Sequence, residues 1–462
     1  MSGSFTNNGC ANGGAFNRGG AFTVYLGHIV DPVDENIYRD IPCGALVVSG
    51  DGKIEAVGKW SDLSAQFSEG AEIVDCGQKL IMPGIIDMHI HLPQVTQIGK
   101  SGDTLLGWLE KYIFPAESRF SDLSYAEKIA AWFFDQLACN GTTLAVVFTT
   151  IHKESTDAAF RIAADKGMRA IMGKVMMDRN APSTLLENSK DSIAQSEELA
   201  AKWHGHDNGR LLYAFTPRFA ITATDGLLRE CGKLWQSNPG TYMHTHLSES
   251  VEEVKKVASL FPDSRSYLDV YDRSGLCCER SVFAHSIHLD SEDLQVMHKK
   301  KCALAHCPSS NFFLKSGIFP IEKVKAAGVE FGLGSDVAAG PQMSIFGVMK
   351  DANFIQPKIW ISPCELFYRA TKGGAKALQL DDQVGSLEAG KEADFIVVDP
   401  TLKNACPRDI LDHHTDEILS TIVFLGDDRM IDATYIRGRQ VFGRGEGVNA
   451  SSELHTVKGG KQ

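Results

Sequence analysis

The sequence predicts an α/β protein: a (β/α)8 barrel of the TIM type, carrying a small composite β-sandwich built from both ends of the chain. Three observations predict it. From about residue 81 to residue 384, short apolar runs alternate with stretches of helical spacing, as in repeated βα units. Strand-like runs bounded by turn residues cluster before residue 80 and return after residue 385, so the chain visits one β domain twice. Histidines and acidic residues fall at the ends of several apolar runs, where a barrel of this kind keeps its active site.

Taken in order, residues 1–20 are rich in Gly and Asn, lack an apolar core and predict a disordered tail, not a signal peptide. Residues 21–80 supply the first part of the sandwich. Apolar runs span 21–30 and 45–48, and the turn Ser49-Gly50-Asp51-Gly52-Lys53 leads into Ile54-Glu55-Ala56-Val57. Eight candidate barrel strands follow: 81–91, 142–150, 169–177, 211–217, 242–247, 281–288, 302–307 and 330–335. Helical spacing fills 125–137, 192–203, 250–258, 291–299 and 321–327 between them. Residues 385–448 return to the sandwich through a Gly-bounded turn and strands at 394–399, 433–436 and 440–442, and 449–462 form a tail.

The totals narrow the function. A chain of 462 residues holds one large barrel and a smaller domain. The net charge of −12 argues against a nucleic-acid groove, which needs a basic face. No apolar run approaches the ~20 residues that span a bilayer. The 11 cysteines are scattered, odd in number and without a Cys-x-x-Cys pair, which suits a reducing compartment. The cytoplasm is the expected location.

The chemistry starts at Leu80-Ile81-Met82-Pro83-Gly84-Ile85-Ile86-Asp87-Met88-His89-Ile90-His91. In a strand, side chains two apart share a face, so His89 and His91 aim two imidazoles into one space. Imidazole is the commonest metal ligand and suits zinc. Further donors end other predicted strands: His244 and His246 the fifth, with Glu249 just beyond, His285 the sixth and Asp336 the eighth. By parity either His244 or His246 could share the space. A catalytic zinc needs protein ligands and an open position for water, and histidines with one carboxylate meet that need.

Pro83, Gly84, Asp87, His89 and His91 fill every marked position of Pro-Gly-x-x-Asp-x-His-x-His, and in this the chain resembles the amidohydrolase superfamily. The resemblance implies one metal held by His89, His91, His246 and Asp336, with His285 beside the reacting water. It picks His246 over His244 because Glu249 follows three residues later. It implies that Glu249, with Asp336 and His285, is catalytic, Glu249 passing a proton to a leaving nitrogen. Zinc is the expected ion, one per chain, with ferrous iron as the alternative. The fourth strand ends Thr216-Pro217-Arg218-Phe219, where two-metal relatives carry a carboxylated lysine. Arginine has no acceptor to bridge metals, which favours a single ion. His306, in Ala305-His306-Cys307-Pro308, is expected to shape the pocket.

A finer resemblance, to the guanine deaminases, runs through His91-Leu92-Pro93-Gln94, residues 108–117, Asn140-Gly141-Thr142-Thr143, Gly173-Lys174-Val175-Met176-Met177-Asp178 and His246-Leu247-Ser248-Glu249. It implies hydrolysis of guanine to xanthine and ammonia by a metal-activated water, with attack at C2 and Glu249 protonating N3. Gln94 can donate and accept towards an amide-like edge, Arg218 donates to the six-position carbonyl, and Phe219 gives an apolar wall; His285 completes the substrate contacts. Residues 105–113 pack at helical spacing and are expected to form a lid. A homodimer is implied. Two alternatives stay open: a sister deaminase or chlorohydrolase acting on cytosine, an adenosine derivative or a triazine, and a barrel retained for assembly without catalysis.

Overall fold

The computed structural model describes residues 22–102, 104–401 and 407–445; the tails expected at 1–20 and 449–462 lie outside these. Sixteen strands form two sheets. The barrel strands are β5 (Ile85–His91), β6 (Thr142–Phe148), β7 (Arg169–Gly173), β9 (Leu211–Pro217), β10 (Tyr242–Leu247), β11 (Ser281–His285), β12 (Ala303–His306) and β13 (Phe331–Leu333), hydrogen-bonded in that order. The short β8 (Val175–Met176) pairs β9. Every pairing among them is parallel. Strands such as β5, β6 and β9 are buried along their whole length, as strands covered on both faces must be.

A helix follows each barrel strand: Leu123–Cys139, Lys153–Lys166, Ser189–Trp203, Asp225–Gln236, Val251–Leu260, Ser291–Lys299, Ile321–Ala327 and Ile345–Phe354. The sequence reading did not name three of these, Lys153–Lys166, Ile345–Phe354 and Asp225–Gln236. The first buries mainly small residues (Ser155, Thr156, Ala158, Ala159), which make a weak apolar stripe. The second is nearly apolar all round. The ring closes at its C-terminal rim, where the Asp336 N–H donates to the His89 carbonyl (2.8 Å) and the His91 N–H to the Val337 carbonyl (3.2 Å). That closure sets Asp336 beside the two histidines of β5.

The second sheet runs β16 (Arg439–Gly443), β15 (Ile431–Ile436), β14 (Phe395–Val398), β4 (Glu72–Pro83), β1 (Phe22–Pro32), β2 (Tyr38–Ser49), β3 (Ile54–Lys59). Tyr25 of β1 and Tyr435 of β15 stand three strands apart in that order, yet their rings are 5.0 Å apart, and both pack on Phe395. A flat sheet would hold them about 14 Å apart. The sheet therefore curls over its own core, which is how one continuous sheet makes the sandwich.

The first barrel strand, predicted from residue 81, begins at Ile85. Residues 81–83 instead end β4 and pair with β14. The chain changes sheets at Gly84, whose N–H donates to the Asp394 carbonyl (3.0 Å), while the Ile85 N–H donates to the Gly141 carbonyl (3.1 Å). A Cβ on Gly84 would lie 2.7 Å from the Thr143 Cβ, so only glycine lets the two sheets meet there. Arg169 of β7 adds a buried tie, its Nε donating to Asp394 Oδ2 (2.7 Å).

Candidate active site

Three strand ends converge at the barrel mouth. His89 and His91 end β5, His246 lies next to last in β10, and Asp336 follows β13 by three residues. His89 Nε2 and His246 Nε2 each lie 3.2 Å from His91 Nε2, and Asp336 Oδ1 lies 3.1 Å from His89 Nε2 and 3.2 Å from His91 Nε2. Glycine is required here too: a Cβ on Gly334 would sit 2.9 Å from the His89 Cβ. Asp87 ties the rim together by accepting from the Ser335 N–H (3.0 Å), the Ser335 hydroxyl and the His89 N–H (3.1 Å). Burial pushes its carboxyl up to about 7.

The donor chemistry fits one metal ion. His246 Nδ1 donates to the Arg218 carbonyl (2.7 Å), which leaves a lone pair on Nε2. That lone pair faces His91 Nε2 beside the Asp336 carboxylate, an arrangement a cation relieves. Burial holds His89 and His246 below the ordinary imidazole range and takes His91 down to about 3, so all three stay neutral, the ligating form. Burial alone would raise Asp336, but His285, His89 and His91 outweigh it and keep the carboxyl well below its usual range. Among the described residues this is the one group of donors able to hold an ion.

His244, the rival by parity, points one step deeper. Its Nε2 shares a 2.8 Å hydrogen bond with His89 Nδ1, so it orients a ligand from behind.

Glu249 stands just ahead of the helix expected from residue 250. Ser250 caps Val251–Leu260 in a capping box with Glu253, so Glu249 precedes the helix and is buried. The Glu249 N–H donates to Glu253 (2.7 Å), and the Ser316 hydroxyl donates to Glu249 Oε1 (3.1 Å). Glu249 Oε2 faces His285 Nε2 at 3.4 Å. Burial raises the Glu249 carboxyl to about 7, with His285 partly offsetting it. His285 Nδ1 donates to Asn311 Oδ1 (2.9 Å) and its Nε2 lies 3.7 Å from Asp336 Oδ2. Burial opposes a charged His285, yet Glu249 and Asp336 outweigh it and lift its pKa above the ordinary value. Ser248, His285, Ser286 and Asp336 all have positive φ (48–67°), a strained conformation that clusters at functional strand ends.

A cavity of about 390 Å³ opens on this cluster. His91, His246, Glu249, His285 and Asp336 make up one part of its lining and Gln94, Arg218 and Phe219 a second part, with Leu105, Trp108 and Leu109 among the rest. The expected lid is a helical run, Leu105–Trp108, the π-turn Leu109–Ile113 and Phe114–Ser118.

Sequence reasoning missed several residues behind these. Glu117 bonds both Gln94 and Arg218. Asn311 holds His285, and Ser316 holds Glu249. His288 meets the Ser316 carbonyl at 3.0 Å. His306 is fully buried with its ring stacked 4.3 Å from that of Phe319, and it is not part of the donor group. Polar residues in loops and short helices carry no periodic signal; only the run 108–117 pointed to one of them, Glu117.

The amidohydrolase family profile matches residues 80–441. The chain belongs to the amidohydrolase family. Among its relatives, the guanine deaminase of Escherichia coli (strain K12) is 43% identical over 412 residues, covering 88% of this amidohydrolase and 92% of that protein. The solved structure of the E. coli guanine deaminase aligns with a TM-score of 0.86 at 40% identity over 92% of this chain and 99% of that one. A guanine deaminase from C. acetobutylicum, solved with guanine in its active site, aligns with a TM-score of 0.84 at 32% identity over 91% of this chain and 100% of that one.

Proposed function

We propose that this amidohydrolase deaminates guanine hydrolytically, releasing xanthine and ammonia. One observation carries the reading: a single narrow cavity joins the His/Asp cluster and Glu249 to a wall made by Gln94, Arg218 and Phe219. The guanine deaminases similar to this chain over most of its length support the choice of base. His89, His91, His246 and Asp336 would hold zinc, which would supply a water made nucleophilic near neutral pH.

The chain's own residues do the rest. Phe219 and Leu109 flank the planar ring, and Arg218 and Gln94 fix its carbonyl edge, so C2 lies towards the donor cluster. Glu249, with a pKa of about 7, takes a proton as the C2–O bond forms and gives it to N3. Loss of the exocyclic nitrogen then breaks the C2–N bond, and ammonia leaves with the remaining proton. His285, held by Asn311, donates from Nε2 towards the new oxygen.

The reading extends to a cytoplasmic enzyme and a homodimer. Among the described residues no helix is long and apolar enough to cross a membrane. The exposed rings of Phe354 and Trp360, stacked on Phe424, support a second copy. The test is conversion of guanine to xanthine with and without chelator, beside cytosine and a triazine. Chelator-sensitive turnover of guanine is expected; an inert guanine with active cytosine would transfer the assignment to a sister activity.

A further inference from the structure

Gln94 and Arg218 do not stand in the pocket independently. Glu117, on the helix Phe114–Ser118, joins them: its Oε1 accepts from Gln94 Nε2 (3.0 Å) and its Oε2 from Arg218 Nη1. Glu117 is buried with 3% of its surface exposed, and it is absent from the cavity lining, so it stands behind the pair. The other face of Gln94 is also tied, because the Ala338 N–H donates to its Oε1 (3.3 Å). The Phe114 ring lies 5.5 Å from the Arg218 guanidinium.

These ties decide what the far wall offers a ligand. A carboxylate only accepts, so it forces the Gln94 amide nitrogen to face it and fixes which end of the amide is the donor. It also neutralises a buried guanidinium and holds its fork in one orientation. What remains for the ligand is a donor-rich wall, which matches a ring carbonyl and opposes an amino group at the same place.

We propose that Glu117 is a positioning residue that sets specificity for a 6-oxopurine over a 6-aminopurine, acting through Gln94 and Arg218. The proposal rests on the deaminase reading above. Without the carboxylate the Gln94 amide keeps only its bond from the Ala338 N–H and the guanidinium loses its fixed aim, so a 6-amino group is refused less strongly.

The pair of substrates that isolates this is guanine and 2,6-diaminopurine. They share the 2-amino group that leaves and differ at position 6. Metal content, kcat and KM are measured for both bases on the wild type, Glu117→Gln, Arg218→Ala and the double variant. Glu117→Gln should keep its metal and lose about ten- to a hundredfold in kcat/KM for guanine, mostly through KM. Its guanine-to-diaminopurine preference should shrink by a similar factor. In the double variant the two losses should not multiply, because Glu117 acts through Arg218. Should Glu117→Gln not fold, Glu117→Asp reads the same ratio with the charge kept and the reach shortened. A folded variant with the wild-type preference, or losses that multiply fully, overturns the role of Glu117. A wild type inactive on guanine overturns the deaminase reading itself.

Discussion

The two ends of the cavity are built differently. At the donor end, His89, His91 and His246 stand on barrel strands, and the rim hydrogen bond from the Asp336 N–H to the His89 carbonyl fixes the fourth donor. At the base-recognition end, Gln94 sits in the turn Leu92–Gln97, Arg218 and Phe219 just past β9, and Glu117 on a short lid helix. The donor end borrows its geometry from the hydrogen-bonded barrel sheet. The recognition end depends on side chains holding one another. Chemistry placed on the sheet can stay fixed while the base it serves is altered on the loops.

Mutations should separate the two ends. The largest effect belongs to the donors: His246→Ala should lose bound metal and on the order of a thousandfold or more in turnover. Metal analysis beside the assay checks it, and a variant that kept both would detach β10 from the centre. Glu249→Gln should keep the metal and lose roughly 10²–10⁴ in kcat; near-normal turnover would remove Glu249 from proton transfer. Arg218→Ala should keep metal and lower kcat/KM for guanine by about ten- to a hundredfold, the mark of the recognition end. If its metal content fell as well, the Arg218 carbonyl that orients His246 would have moved, and the ends would not be separable.

Ser316→Ala should cost less, about three- to tenfold in kcat, because one hydrogen bond to Glu249 is lost and its burial is kept. The smallest effect is on stability. Burial takes the His306 pKa down to about 3, against an unfolded value near 6.5. The unfolded chain therefore binds the extra proton first, and stability falls as pH drops from about 6.5 towards 3. Replacing the buried ring by His306→Phe should remove roughly 1–2 kcal/mol of the loss between pH 7 and pH 5, read by urea denaturation at each pH. An unchanged slope would place the acid sensitivity in other groups.

Much of this was legible in the sequence. Period-two apolar runs ending in histidine placed β5 and β10, and the strands 211–217 and 242–247 match the structure end to end. The Pro83-Gly84 pair marked a change of sheet, although the strand was drawn through it, because an uninterrupted apolar run hides a switch of partner. Glu249 was placed ahead of the helix expected from residue 250, and the capping box of Ser250 and Glu253 starts the helix there. Glu117, Asn311 and Ser316 lie in loops or short helices, where no spacing announces a role.

By itself the sequence determined the order of strands and helices and which residue types end each strand, since these follow from periodicity and side-chain chemistry close along the chain. It also carried the family motif. The motif implied His246 over His244 and a place for Asp336, but the tertiary structure alone brings His246 and Asp336 against His91 and shows that Glu117 holds Gln94 and Arg218 together. Those choices depend on barrel closure and the angle of each strand end, quantities fixed by packing among segments up to hundreds of residues apart, which no local pattern encodes.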